Sequence, residues 1–103
     1  MRIEDLKTIL ATVGIPVAYN AFPDENPQKV PYICYRVLRD NNFVADGQVY
    51  VKADVIQIEL YTKTKDVELE DKVENALSFC VWSKEEEYIQ EEKIYQIVYE
   101  IEV

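Results

Sequence analysis

The segment that decides the fold runs from Asp40 to Thr62 and reads DNNFVADGQVYVKADVIQIELYT. Its first part, residues 40–47, is polar, contains a glycine and carries one large aromatic side chain, Phe43. Its second part, residues 48–62, alternates in polarity and then becomes densely apolar, which predicts the longest strand of the protein. A strand rises about 3.3 Å per residue, so this one would cross a small domain and define its central sheet. We interpret the polar part as a surface loop, a kind of segment that often carries function.

Apolar periodicity on either side of this segment predicts two helices and four further strands. The helices cover residues 3–13 and 67–80, and the strands cover residues 17–21, 32–39, 86–90 and 93–103. The last strand alternates strictly between apolar and polar residues, which is typical of an antiparallel sheet with one wet face. We therefore predict one domain, residues 1–103, of the α+β class. It has a four- to five-stranded, mostly antiparallel sheet with two helices packed on one face, in the order α-β-β-β-α-β-β.

The chain is strongly acidic. Twenty Asp and Glu residues oppose eleven Lys and Arg residues, and the formal net charge is −9. Proteins gain affinity for nucleic acids by neutralising phosphates with clustered cations, whereas the eleven cations here are scattered. We expect no specific nucleic-acid binding, although an acidic wall can surround DNA without holding it.

The N-terminal residues, MRIEDLKTIL, mix acids with apolar residues and do not resemble a signal peptide. No segment approaches the roughly 20 apolar residues of a membrane helix. We expect a cytoplasmic protein without a membrane partner. Its two cysteines, Cys34 and Cys80, lie in apolar patterns and are interpreted as buried, reduced thiols, although a disulfide stays open.

Residue types that enzymes use are scarce. The chain has no histidine, so it lacks the commonest general base and metal ligand. Its two glycines, Gly14 and Gly47, cannot build a glycine-rich phosphate loop. The acidic runs 85–87 and 91–92 lack the spacing of a calcium loop and are typical of a solvated face. We predict that the protein is not an enzyme and has no catalytic residue, cofactor or metal.

The eight tyrosines raise the question of an interface, because aromatic side chains suit both half-buried strands and protein contacts. Packing within the protein's own sheet is favoured for the tyrosines that share parity with apolar neighbours, which are Tyr35, Tyr95 and Tyr99. Both interpretations stay open for Tyr19, Tyr50 and Tyr88.

Phe43 poses the same question more sharply, since it lies among polar residues. It either folds back onto its own core or inserts into a neighbouring subunit, because large exposed aromatics are unfavourable in a monomer. The candidate interface residues are Asn41, Asn42, Phe43, Tyr50, Tyr19 and Tyr88.

Five blocks in order cover most of the chain: PVAYNAFP at 16–23, PYICY at 31–35, NNFVADGQVY at 41–50, IELYTKTKD at 58–66 and EEYIQEEKIYQIVYEIEV at 86–103. In these blocks the chain resembles the small tail-completion or tail-terminator proteins of long-tailed bacteriophages and prophages. The resemblance implies a structural virion protein without catalysis, which works as a ring at the head-proximal end of the tail. Six copies would follow from the tail's symmetry, and the ring could form only on assembly. The implied partners are other copies of the chain, the tail tube protein and the head–tail connector protein.

The resemblance also implies a location, first the cytoplasm of the bacterial host and then the tail or neck of the virion. Two other functions stay open. One is a head-completion protein at the neck, which also belongs to the phage structural class. The other is a small acidic binding module that captures a peptide at the edge of its sheet.

Overall fold

The computed structural model describes residues 2–25 and 27–103 and has an α+β fold in which strands dominate. This confirms the predicted fold class. The elements are α1 (Ile3–Ala11), β1 (Val17–Tyr19), β2 (Tyr32–Asp40), β3 (Phe43–Ala45), β4 (Gln48–Val51), β5 (Asp54–Thr62), α2 (Val67–Ala76), β6 (Trp82–Ile89) and β7 (Ile94–Glu102).

The main sheet has five strands in the order β1-β2-β5-β7-β6. Every neighbouring pair is antiparallel except β1 and β2, which run parallel. The prediction of a four- to five-stranded, mostly antiparallel sheet is therefore confirmed. In the described part of the chain, no helix is long and apolar enough to cross a membrane.

The predicted strand over residues 48–62 is wrong, because it is divided into β4 and β5. At Asp54 the chain enters the main sheet, where it exchanges two backbone hydrogen bonds with Val103, at 2.8 and 3.0 Å. Residues 48–51 do not belong to that sheet and pair instead with β3. Strand β3 lies within residues 40–47, which were predicted to be a loop. The order α-β-β-β-α-β-β is corrected accordingly to α-β-β-β-β-β-α-β-β.

The core lies between the two helices and one face of the main sheet. Each central strand contributes every second residue to the core, because successive side chains point to opposite faces of the sheet. Directly opposite residues of neighbouring strands point to the same face, so the contributed side chains form rows across the sheet. Register aligns Tyr35 with Ile58 and Ile58 with Tyr99, so these three side chains lie side by side across the sheet. The helices cover this row with apolar residues that are buried in the same cluster, namely Leu6, Leu10 and Val13 from the first helical segment and Leu69, Val73 and Leu77 from the second.

The helices end earlier than predicted, at Ala11 and Ala76, and β6 begins earlier, at Trp82. After α1, Gly14 has a φ of 93°, a left-handed conformation that stops the helix. At the start of α2, the Asp66 carboxylate accepts a hydrogen bond from the Leu69 N–H at 3.0 Å, as expected of a capping residue.

Candidate interface

The most unusual feature of the molecule is the β3–β4 hairpin, which forms a two-stranded sheet of its own. We call residues 43–51 the arm. A two-residue turn joins its strands, since Ala45 pairs with Gln48. Asp46 and Gly47 in this turn both have positive φ, 51° and 72°. Such values define the tight hairpin turns that favour an Asp-Gly pair, so the dipeptide explains why the chain reverses here.

The arm is apolar on both faces. Phe43 pairs with Val51, and Val44 pairs with Val49, so the two pairs lie on successive positions of β3. Successive positions of a strand point to opposite faces. A register shift between the two pairs leaves Tyr50 as an extra residue in β4, an irregularity of the kind that re-aims a side chain. These five side chains are all between 50% and 62% exposed.

The arm projects from the domain. Among the described residues, no helix or strand packs extensively against it. The radius of gyration is 14.9 Å, against about 13 Å for a compact domain of this length. Phe43 is 62% exposed, so the structure rules out the alternative in which it folds back onto its own core. An isolated hairpin has marginal stability in water, and the arm therefore depends on its base for its position.

The predicted interface residues Asn41 and Asn42 hold this base. The Asn42 side-chain oxygen accepts a hydrogen bond from the Ala53 N–H at 3.0 Å, and the Asn41 N–H donates to the Ala53 carbonyl at 2.8 Å. The Asn41 amide also donates to the Glu102 carboxylate at 3.2 Å. The structure therefore gives both asparagines an internal role, in which they tie the two ends of the arm to each other and to β7.

The two remaining candidates, Tyr19 and Tyr88, lie on β1 and β6, the opposite edges of the main sheet. Tyr19 is half-exposed; its ring packs edge-on against Tyr35 at 5.2 Å, and its hydroxyl accepts a hydrogen bond from the Val37 N–H. Tyr88 packs edge-on against Tyr95 at 4.9 Å. The six predicted residues thus do not form one surface, and of the six only Phe43 and Tyr50 belong to the arm.

A cavity of about 320 Å³ lies at the end of the sheet from which the arm projects. We call it the end cavity. Its apolar lining residues are Val55, Val81, Trp82 and Ile101, of which Val55 and Ile101 are themselves buried. Its polar lining includes Arg39, whose guanidinium contacts the Glu100 carboxylate at 3.2 Å.

Sequence reasoning missed the end cavity, because it placed the start of β6 at residue 86. Val81 is 90% exposed, and it stands directly before Trp82, whose ring packs edge-on against Tyr99 at 5.8 Å. The sequence contains a signal for an earlier start of β6, since the apolar pair Val81 and Trp82 directly follows the predicted helix over residues 67–80.

A second cavity of about 310 Å³ lies at the opposite end of the sheet. Its lining includes Phe22, Tyr32 and Tyr61, of which the last two stack at 4.8 Å. Cys34 also lines it, and burial, followed by the nearby Glu59 carboxylate, raises the pKa of this thiol to about 11. Both cysteines are free, as predicted, but only Cys34 is buried, whereas Cys80 is half-buried. A thiol with the pKa of Cys34 is protonated at neutral pH and is a weak nucleophile.

The sheet face opposite the helices carries a polar network centred on Glu59, whose side chain is 12% exposed. Its carboxylate accepts hydrogen bonds from the Tyr61 hydroxyl, from the Gln57 amide at 3.0 Å and from the Gln96 amide at 3.3 Å. Burial and the bond to Glu59 raise the pKa of Tyr61. The carboxylate is thus satisfied within the protein, and the network makes this face of the sheet polar.

A second charged network ties α2 to β6. Glu70 is almost fully buried, with Lys65 and Lys84 at 2.7 and 3.2 Å from its two oxygens. Lys84 also bonds to Glu74 at 2.8 Å, and the buried Tyr99 hydroxyl donates to the same carboxylate at 2.7 Å. Burial opposes ionisation of Glu74, but the bonds from Lys84 and Tyr99 outweigh it and lower its pKa. These groups stabilise the fold around the strand that borders the end cavity.

Among the described residues, no group of His, Cys, Asp and Glu side chains is arranged to hold a metal ion. A scan against protein-family models and a search of curated proteins each find no match for this chain. The arm and the end cavity are therefore the features from which a function can be argued.

Proposed function

We propose that this protein is a structural assembly protein whose copies join through the arm. Together with the sequence resemblance, this leads to a tail-terminator ring that caps the head-proximal end of a phage tail tube and meets the head connector. The observation that carries the proposal is the exposure of five large apolar side chains on both faces of one projecting hairpin.

Association through the arm is favoured energetically, because the arm leaves apolar area exposed to water that a second copy can cover. Its two aromatic side chains are each about 60% exposed, and a large aromatic can bury roughly 150–250 Å². Two such side chains therefore offer on the order of 240 Å², or about 6 kcal/mol at 25 cal/mol per Å² before ordering costs. An arm with two apolar faces is best covered by a cleft, since a flat surface would cover only one face.

The charge distribution suits a ring through which DNA passes. Register puts Glu85, Glu87, Glu100 and Glu102 on the sheet face opposite the helices, the same face as Glu59, and these acids outnumber Arg36 and Arg39 on that face. An acidic wall repels the duplex and so prevents it from adhering. The same charge, −9 per copy, also opposes association of the copies, so we expect the apolar arm to supply the attraction.

The alternative of a binding module that captures a peptide at its sheet edge is less well supported. The longer free edge is β6, and its central residues are all charged, Lys84 to Glu87. Charged side chains on an edge strand are a common way to prevent pairing with another chain. The arm is the better candidate for the contact surface, because its exposed side chains are apolar.

The test uses the major tail protein that the proposal requires to be encoded beside this chain. Tubes assembled from that protein are incubated with the purified chain and examined by electron microscopy and sedimentation. We expect a ring at one end of each tube. Absence of a neighbouring gene for a major tail protein contradicts the proposal, and so does a stable two-fold dimer that does not bind the tubes. Binding to the head connector but not to tubes would instead favour the head-completion function.

A further inference from the structure

We propose that the end cavity is the receptor for the arm of a second copy, and that Phe43 is the side chain that enters it. This inference rests on the proposed function and adds the acceptor that the function leaves open. It makes the contact heterologous, since the arm and the cavity are different surfaces, and contacts of that kind generate rings when the rotation closes.

The first argument is the match in size and polarity. An apolar cavity of roughly 150 Å³ holds a benzene molecule, so about 320 Å³ accommodates the Phe43 ring together with part of its pair partner Val51. The lining supplies the apolar residues Val81, Trp82, Ile101 and Val55 on one part and Arg39, Asn41, Ser83, Glu100 and Glu102 on the other. The apolar part of the cavity therefore matches the apolar side chains of the arm.

The second argument concerns Val81, the most exposed of the large apolar residues of the described chain, at 90%. It lies in the lining of the cavity, between α2 and β6. An apolar side chain this exposed beside Trp82 extends the apolar surface that an incoming arm can cover. The neighbouring Phe79 is 44% exposed and belongs to the same connection.

The third argument explains why a copy does not fill its own cavity. Asn41 lies both in the lining of the cavity and at the root of the arm. Its hydrogen bonds to Ala53 and Glu102 fix the direction in which the arm leaves the sheet. The arm of the same copy is consequently held exposed at the edge of the cavity, whereas the arm of another copy can approach from outside.

The charges define how the contact responds to salt. The lining contains two acids, Glu100 and Glu102, and one base, Arg39, which pairs with Glu100. The nearest charge beyond the arm's β4 strand is Lys52. Lys52 of the incoming copy can meet this acidic rim, but the net charge of −9 on each copy opposes the approach. Since salt screens the long-range repulsion more than an apolar contact, we expect association to strengthen as salt is raised from low concentration.

The experiment uses two charge substitutions on exposed sites and a matched control. Phe43→Asp disables the arm and leaves the cavity intact, whereas Val81→Glu disables the cavity and leaves the arm intact. Val67→Glu is the control, because Val67 is also an exposed valine, at 58%, but lies at the start of α2. Thermal melts establish that each variant folds, and association is measured by sedimentation and native mass spectrometry, alone and with tail tubes.

We expect either disabling substitution to weaken association at least tenfold, and Val67→Glu to behave like the unmodified protein. An equimolar mixture of Phe43→Asp and Val81→Glu should form a one-to-one pair that grows no further, because only one arm and one cavity remain and they are on different copies. Normal association of Val81→Glu, or a mixture that forms no pair, overturns the assignment of the cavity.

The outcomes separate this inference from the proposed function. If the unmodified protein associates neither with itself nor with tubes, the proposed function fails. If it associates and only Phe43→Asp abolishes the association, the function stands and the end cavity is not the receptor.

Discussion

Replacing Phe43 by alanine should leave the domain folded but prevent its assembly. Phe43 is 62% exposed and its pair partner is another residue of the arm, so its removal creates no cavity in the core. Exposed substitutions usually change the free energy of unfolding by no more than about 0.5 kcal/mol. For a domain of this size that corresponds to a shift of roughly 2–4 °C in melting temperature.

The expected loss of assembly follows from the exposed fraction of the same side chain. At 62% exposure, a side chain of on the order of 200 Å² has about 120 Å² still to bury. At 25 cal/mol per Å² this contributes about 3 kcal/mol to docking, or about two orders of magnitude in the association constant. Sedimentation over a concentration series, with and without tail tubes, measures the change.

Ile58→Ala is the control for the folding assay. Ile58 is fully buried in the central strand β5, and deletion of such a side chain costs about 2–5 kcal/mol. Its melting temperature should fall by roughly 10 °C or more. A fall of similar size for Phe43→Ala, or unchanged assembly of that variant, would refute the assignment of Phe43 to an interface.

Three further predictions test other parts of the molecule. The isolated protein should not retard duplex DNA at physiological salt, because it carries −9 and lacks a basic cluster; gel-shift binding tighter than about micromolar would contradict this. Tyr99→Phe should lower the free energy of unfolding by about 1–2 kcal/mol in chemical denaturation, since it removes the hydroxyl that donates to Glu74. The exposed Tyr88→Phe should change little, and equal losses for both variants would count against the role of that bond. Finally, the pKa of Glu74 is lower in the folded protein than its ordinary value of 4.5, so its contribution to stability is complete above that pH and is lost as the pH falls through the folded value. The destabilisation caused by Glu74→Gln should therefore shrink in acid, and a constant difference down to about pH 2 would disprove the linkage.

Most of the main sheet could be predicted from local pattern. The alternation in β7 gives the buried row Ile97, Tyr99 and Ile101, because a strand with one covered face must place its apolar residues at every second position. The two helical stripes likewise specify their buried faces. The sequence leaves Asp66 and Thr64 open as the cap of α2, and the structure selects Asp66. For these elements a residue's neighbours in sequence determine which side is covered.

The arm could not be derived from polarity alone, because residues 48–51 suit a continuation of β5 as well as a return to β3. The Asp46-Gly47 pair is a local signal for the return, because both residues adopt the positive φ of a tight hairpin turn. Tertiary pairing decides between the two. Strand β5 enters the main sheet at Asp54, opposite Asp40 and beside the end of β7, so the residues before it have no neighbour in that sheet.

By itself, then, the sequence determined the α+β class, the buried faces of the helices and strands, and the acidity that opposes binding to DNA. Only the tertiary structure decided where the sheet stops, which exposes Phe43 and Tyr50 on an arm and assigns Asn41 and Asn42 to its base. It also brought Val81 and Trp82 next to Val55 and Ile101 in one cavity. The physical reason is that burial of a face depends on local periodicity, whereas the end of a sheet and the walls of a cavity depend on the register between strands that are distant in sequence.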